Sequence, residues 1–215
     1  MKSPLRLPTL SILGGVLGLF AGALAAAESA PKPARVIFET ALGRITLEVD
    51  LAHAPVTSAN FLKYLDGKFY DGGVINRAVR PDNTTRHDVE IQVIQLQSDE
   101  ARKGSLFPPI PLERTTTTGL KHVNGVISMA RGGADTATSS FFITIGHQPS
   151  LDFGGQRNAD GQGFAAFGRV VEGLDVVKKI HTSRTGASGL YGTETLDPAI
   201  KILRAYRPKQ PSPAD

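Results

Sequence analysis

The stretch GVISMARGGADTATSSFFITIG, residues 125–146, decides the fold. Residues 126–130 read as a short strand, 131–140 as a loop rich in Gly, Ala, Ser and Thr, and 141–145 as a second strand. Side chains alternate faces along a strand, so Phe141, Ile143 and Ile145 share one face and Phe142 and Thr144 the other. The first set is the expected core. Phe142, a large ring among small polar residues, is either an isolated surface aromatic or one wall of a binding groove. Alternation alone leaves both open.

The same period recurs outward from this stretch. Residues 35–50 give two strands around a turn at 41–43, with Ile45, Leu47 and Val49 alternating with Thr46, Glu48 and Asp50. A helix follows. Pro55 suits its first turn, Thr57 or Ser58 its N-cap and Gly67 its end, and Phe61, Leu62 and Leu65 form one apolar stripe. On the strand 74–80, period two places Ile75, Arg77 and Val79 together. An arginine in an apolar row is costly unless its guanidinium is paired or reaches a groove; the alternative is a side chain snorkelling at a rim. After polar turn sequence at 81–88, residues 89–97 read as a strand with Ile91, Val93 and Gln95 on one face. Residues 98–123 read as a long loop, and the Thr run at 115–118 fits a low-complexity surface. Residues 164–171 read as a strand, 174–181 as a helix turning Leu174, Val177 and Ile180 inward, 182–196 as a Gly/Ser/Thr loop and 199–206 as the closing strand. Many short strands, turn signals between them and two helices suit a mainly β fold, a closed antiparallel barrel.

Composition narrows the function. The chain has no cysteine, hence no disulfide framework and no thiol chemistry. Residues 1–27 carry a positive start, an apolar run rich in Leu, Gly and Ala, and small residues at 25–27, the pattern of a cleaved secretory signal peptide; the apolar run is short for a membrane span. A periplasmic or secreted location is expected. Residues 28–34 read as a Pro/Ala linker, 35–207 as the folded domain and 208–215 as a disordered tail. Removing residues 1–27 takes away Lys2 and Arg6 and no acid, so the formal charge falls from +4 to +2. So small a balance gives no electrostatic case for nucleic acid. The five histidines are scattered, without metal-ligand spacing, and no P-loop or nucleophile elbow is present.

Several short motifs fall in one order: Phe69-Tyr70-Asp71-Gly72, Arg77, Ile94-Gln95, Ser128-Met129-Ala130-Arg131, Ser140-Phe141-Phe142-Ile143, Leu151-Asp152 and Phe167-Gly168-Arg169-Val170-Val171. Together they resemble the cyclophilin-type peptidyl-prolyl cis-trans isomerases, here of a bacterial, exported kind, over residues 36–206. The resemblance implies a closed eight-stranded antiparallel barrel with two short helices capping its ends. It also implies isomerisation of X–Pro bonds in exported proteins, with no metal and no cofactor, by a chain acting as a monomer on extended, proline-containing polypeptides. Arg77, Phe142 and Gln95 then stand at the catalytic positions. Leu151, Val93 and Phe164 line the proline pocket, and the backbone around Ala130 and Arg131 holds the substrate chain.

The chain departs from the family pattern in places. Ile75-Asn76 replaces Phe-His before the arginine, Gln92-Val93 replaces the Phe and Met before the glutamine, and Leu96-Gln97 replaces Gly-Gly after it. The loop between Arg77 and Gln95 is longer than usual. Ser150 stands where an aromatic, often Trp, grips the inhibitor cyclosporin, so weak cyclosporin binding is expected. These departures motivate a second reading, a non-catalytic barrel that holds proline-containing chains.

Overall fold

A computed structural model describes residues 30–208. The signal peptide expected at 1–27 and almost all of the tail expected at 208–215 lie outside the described residues. Nine strands form one antiparallel sheet: β1 (Ala34–Thr40), β2 (Gly43–Val49), β3 (Val74–Val79), β4 (Val93–Gln97), β5 (Val126–Met129), β6 (Phe141–Thr144), β7 (Ala166–Glu172), β8 (Thr185–Gly186) and β9 (Thr195–Tyr206). Eight of them run β1-β2-β7-β5-β6-β4-β3-β9 and close where β9 pairs back to β1. The closed eight-stranded barrel is therefore as expected. The two-residue β8 adds to the start of β9 inside the segment read as loop, and β9 begins earlier than the expected 199. Closure leaves no long unpaired edge among the eight.

The interior is aromatic at its centre. Phe38, Phe61, Tyr70, Phe141 and Phe167 are all buried, and Phe61 and Phe141 meet edge to face at 5.2 Å. The Tyr70 hydroxyl donates to the Ser139 carbonyl at 2.7 Å, which satisfies the one polar atom the cluster carries. Helices α1 (Pro55–Asp66) and α3 (Leu174–His181) add Phe61, Leu65, Val177 and Ile180 to the same core.

The start of α1 corrects the expectation for its cap. Thr57 and Ser58 lie inside the first turn, and Ala54 at the N-cap has no side-chain acceptor to offer. The Glu113 carboxylate, from the long loop, accepts instead from the N–H groups of Val56 at 3.1 Å and Thr57 at 2.7 Å. A negative group there also complements the helix dipole. The helix ends as expected before Gly67, although the left-handed residue is Lys68, with φ of 61°. The loop itself is built, not slack: the Thr run forms one helical turn, α2 (Thr115–Thr118), with Thr115 and Thr118 buried, so it is no low-complexity surface. Thr115 Oγ1 accepts from the Phe153 N–H at 3.0 Å.

A bulge in β3 overturns the strict alternation expected there. Ile75 pairs with Leu96 and Arg77 with Gln95, so two steps on β3 match one on β4 and Asn76 is the extra residue. A bulge of this kind resets which face each side chain takes. Ile75 points into the barrel core, whereas Arg77 and Val79 point outward. The strand expected from residue 89 begins only at Val93, yet Ile91 and Val93 do share a face.

Candidate active site

Outside the barrel wall lies a second, smaller apolar cluster: Val79, Ile91, Val93, Phe142, Leu151 and Phe164, with Ala130 against it. The cross-strand register explains its position. Arg77 on β3 pairs with Gln95 on β4, Gln95 pairs with Phe142 on β6, and Phe142 pairs with Ser128 on β5. The bulge is what brings Arg77 into the row that Gln95 and Phe142 already share. These side chains open onto a groove of about 320 Å³. All eight residues singled out from the sequence line it: Arg77, Gln95, Phe142, Val93, Leu151, Ala130, Arg131 and Phe164. A second concavity of similar size, beside Glu48, Lys121 and Arg169, holds none of them.

Phe142 is therefore a groove wall, only 5% exposed. Phe164 meets it edge to face at 5.3 Å and 88°. Behind it, the His122 ring stacks at 6.0 Å. His122 is itself fixed from both sides, by Asp152 at 2.7 Å on Nδ1 and by Ser128 Oγ at 2.9 Å on Nε2. Burial pushes the Asp152 carboxyl upward, but hydrogen bonds from the His122 side chain and backbone outweigh it and hold the group below its ordinary 3.8. The sequence reading gave His122 no role; it is the support of the ring that lines the groove. Gly163, at φ of 66°, lets the chain turn tightly into Phe164: an added Cβ would lie 2.5 Å from the Asp152 carbonyl carbon. The Phe164 N–H then donates to the Leu151 carbonyl at 2.9 Å, tying two sides of the pocket together.

The Arg77 guanidinium is held on three sides. Its Nε and Nη2 donate to Glu194 Oε2 at 2.8 and 2.6 Å, and Nη1 donates to Gln95 Oε1 at 3.1 Å. Its Cζ lies 4.7 Å from the centre of the Tyr191 ring. The Tyr191 hydroxyl accepts from Gln95 Nε2 at 3.1 Å and Gln97 Nε2 at 2.5 Å. Burial raises the Tyr191 hydroxyl above its ordinary 10.0, against the opposing pull of Arg77, so the group stays a neutral phenol. Glu194 and Tyr191 were missed in the sequence. They are an acid and an aromatic in a segment otherwise read as Gly/Ser/Thr loop, and only the requirement that a part-buried arginine be paired signals them.

Arg131 differs from expectation. Its side chain is 1% exposed and grips Asp160 through Nη1 at 2.6 Å and Nη2 at 2.9 Å, while Nε donates to the Gly163 carbonyl at 2.8 Å. The bonds from Arg131 draw the Asp160 carboxyl down to about 2. Arg131 thus pins the segment 153–163 over the groove. The expected grip on substrate by the backbone at 130–131 is also narrowed, because the Ala130 N–H is already spent on the Ser140 carbonyl at 2.9 Å.

Similarity to known proteins agrees with this geometry. The family described as "Cyclophilin type peptidyl-prolyl cis-trans isomerase/CLD" matches the chain over residues 35–207. The chain belongs to the cyclophilin family. A peptidyl-prolyl cis-trans isomerase A from Dickeya dadantii is 34% identical over 179 residues, which is 83% of this chain and 87% of that protein. A peptidyl-prolyl cis-trans isomerase B from Escherichia coli is 32% identical over 157 residues, covering 73% and 89%. Among solved structures, a cyclophilin-type isomerase from Cryptosporidium parvum, crystallised in the presence of the dipeptide Ala-Pro, superposes with a TM-score of 0.64 at 17% identity, over 82% of this chain and 99% of that one. That likeness establishes the fold. Within this cyclophilin, the groove offers an apolar socket of Phe142, Leu151, Val93 and Phe164 beside the immobilised guanidinium of Arg77. Such a site can grip a small apolar ring and present N–H donors to an atom next to it.

Proposed function

We propose that this groove accelerates cis–trans isomerisation of X–Pro bonds in extended polypeptides, and that the clients are exported proteins reached through the leader at 1–27. The observation that carries the reading is the single row Arg77–Gln95–Phe142 opening onto an apolar socket. The X–Pro bond resists rotation because the prolyl nitrogen lone pair is delocalised into the carbonyl, and uncatalysed exchange takes tens to hundreds of seconds. At the twisted transition state the nitrogen becomes pyramidal and regains its lone pair. A donor aimed at that nitrogen interacts more strongly with the twisted bond than with the planar one, which is the condition for acceleration. Arg77 has five N–H groups, of which three are committed to Glu194 and Gln95. Two remain for the substrate. Phe142, Leu151, Val93 and Phe164 hold the proline ring still while the preceding residue turns. Gln95 fixes both the guanidinium and the substrate chain. No bond is made or broken, and no cofactor is needed.

We read the protein as a monomer, and expect weak cyclosporin binding, because Ser150 brings no ring to the groove. A second reading, a holder of proline-containing chains without rate enhancement, is favoured by Glu194, whose carboxylate lies 2.6 Å from Arg77 and offsets part of its charge. A protease-coupled assay on a prolyl tetrapeptide separates the two. Isomerase action requires a rate that rises linearly with protein concentration; peptide binding with an unchanged rate selects the holder.

A further inference from the structure

The groove wall is strongly one-signed. Arg77, Arg86, Arg131 and Arg157 line it, and no carboxylate does. Three of the four have an acid behind them: Glu194 for Arg77, Asp88 for Arg86 and Asp160 for Arg131. Arg157 does not. Its guanidinium donates through Nη1 to the Val89 carbonyl at 3.0 Å, and among the described residues no carboxylate lies within ion-pair distance of it. Yet the residue is only 8% exposed. Burial, and then the charges of Arg77 and Arg86, lower its affinity for its own proton, and the more distant charges of Glu194 and Asp88 offset this only in part. A cation this buried and this crowded by like charge is costly to keep. A ligand that brings a negative group relieves that cost.

Resting on the isomerase reading above, we infer that the groove prefers prolyl segments carrying an anionic group on a residue flanking the proline, with Arg157 as the residue that recognises it. The anchoring supports this. Arg157 sits in the segment 153–163 between Leu151 and Phe164, the two sides of the socket joined by the Phe164 N–H to Leu151 bond. Its own N–H donates to the Ser150 carbonyl at 3.2 Å, so the backbone beneath it is fixed to the socket floor. Arg86 reaches the same segment, donating to the Arg157 carbonyl at 2.9 Å. The shared chemistry is an anion presented beside a proline. It can come from a Glu or Asp side chain or from a phosphoserine.

The test measures isomerisation by exchange NMR, which needs no coupling protease. Amidated tetrapeptides carry Glu or Gln, and phosphoserine or Ser, at the residue before or after proline. For wild-type protein, kcat/KM for the anionic peptide should exceed that for its neutral partner by about tenfold on at least one side of the proline. That preference should weaken with added salt, which screens the approach of the anionic peptide to the four arginines of the groove, although an anion seated against buried Arg157 is screened less than an exposed pair. In Arg157→Gln the ratio should drop below about twofold, and in Arg157→Lys, which keeps the charge, it should largely survive. The Glu and phosphoserine arms identify the source of the anion. Ratios within about twofold for every pair in wild type, or a ratio unchanged in folded Arg157→Gln, overturn the inference. If Arg157→Gln does not fold, the wild-type ratios and their salt dependence decide. Turnover of the neutral peptides without any anionic preference removes this inference and leaves the isomerase reading intact. Absence of turnover for all peptides removes the isomerase reading, and the ratio of dissociation constants from titration of the same peptides then decides this one.

Discussion

Glu194→Gln tests whether the pairing of Arg77 is a positioning device. The carboxylate takes two bonds from the guanidinium, at 2.8 and 2.6 Å, with the two side chains 21% and 9% exposed. Charge-assisted hydrogen bonds contribute roughly 1.5–3 kcal/mol, neutral ones roughly 0.5–1.5. The amide keeps the shape and one acceptor but surrenders the charge, so the loss should be about 2 kcal/mol, below the roughly 3–5 expected when a buried partner is deleted outright. For a domain of this size each kcal/mol moves the melting temperature by roughly 2–4 °C, which predicts a fall of about 4–8 °C. The kinetic consequence is separate. If Arg77 acts on the twisted bond as proposed, a guanidinium free to swing should lower kcat about tenfold while KM changes less than about threefold. Thermal unfolding and full Michaelis curves measure both. An unchanged or higher kcat alongside the lowered melting temperature would refute the positioning argument, because it would mean the carboxylate restrains the cation instead of aiming it.

Three further outcomes follow from the same geometry. Phe142→Ala removes a buried ring that Phe164 and His122 both pack on, and should destabilise by roughly 3–5 kcal/mol in chemical denaturation and raise KM for prolyl peptides. Tyr191→Phe deletes only the hydroxyl that accepts from Gln95 and Gln97, and should cost about 1–2 kcal/mol with a smaller loss of kcat than Glu194→Gln. Buried His181 is held below its ordinary 6.5, chiefly by desolvation, while its Nε2 meets the Val79 carbonyl at 2.8 Å. Because the unfolded chain then binds the proton more readily, stability should begin to fall as pH drops below about 6.5, and His181→Gln should flatten that segment of the curve.

Much of this architecture is legible in the residues, for reasons that differ by element. The alternation in β2 and the apolar stripe of α3 place those elements because local periodicity and the local face buried coincide. Phe142 could be assigned to a wall only with the neighbouring motifs, since a ring on a polar face has two readings. The turn of Arg77 out of the core was not legible. Alternation puts it with Ile75, and the extra residue at Asn76 exists only in the pairing of β3 with β4. The helix cap supplied by Glu113 and the partner supplied by Glu194 share that property, because each acid lies far along the chain from the group it satisfies. Arg131 lines the groove, but its side chain holds Asp160 and Gly163, a role no local pattern encodes.

The role proposed for Arg77 is tested most directly by the turnover of Arg77→Ala, measured on a prolyl tetrapeptide beside the double variant Arg77→Ala/Glu194→Gln, which avoids leaving a buried carboxylate unpaired. Both proteins should remain folded and lose kcat/KM by roughly 10²–10³, the usual consequence of removing one transition-state donor. A folded variant that isomerises the peptide at the wild-type rate would contradict the account.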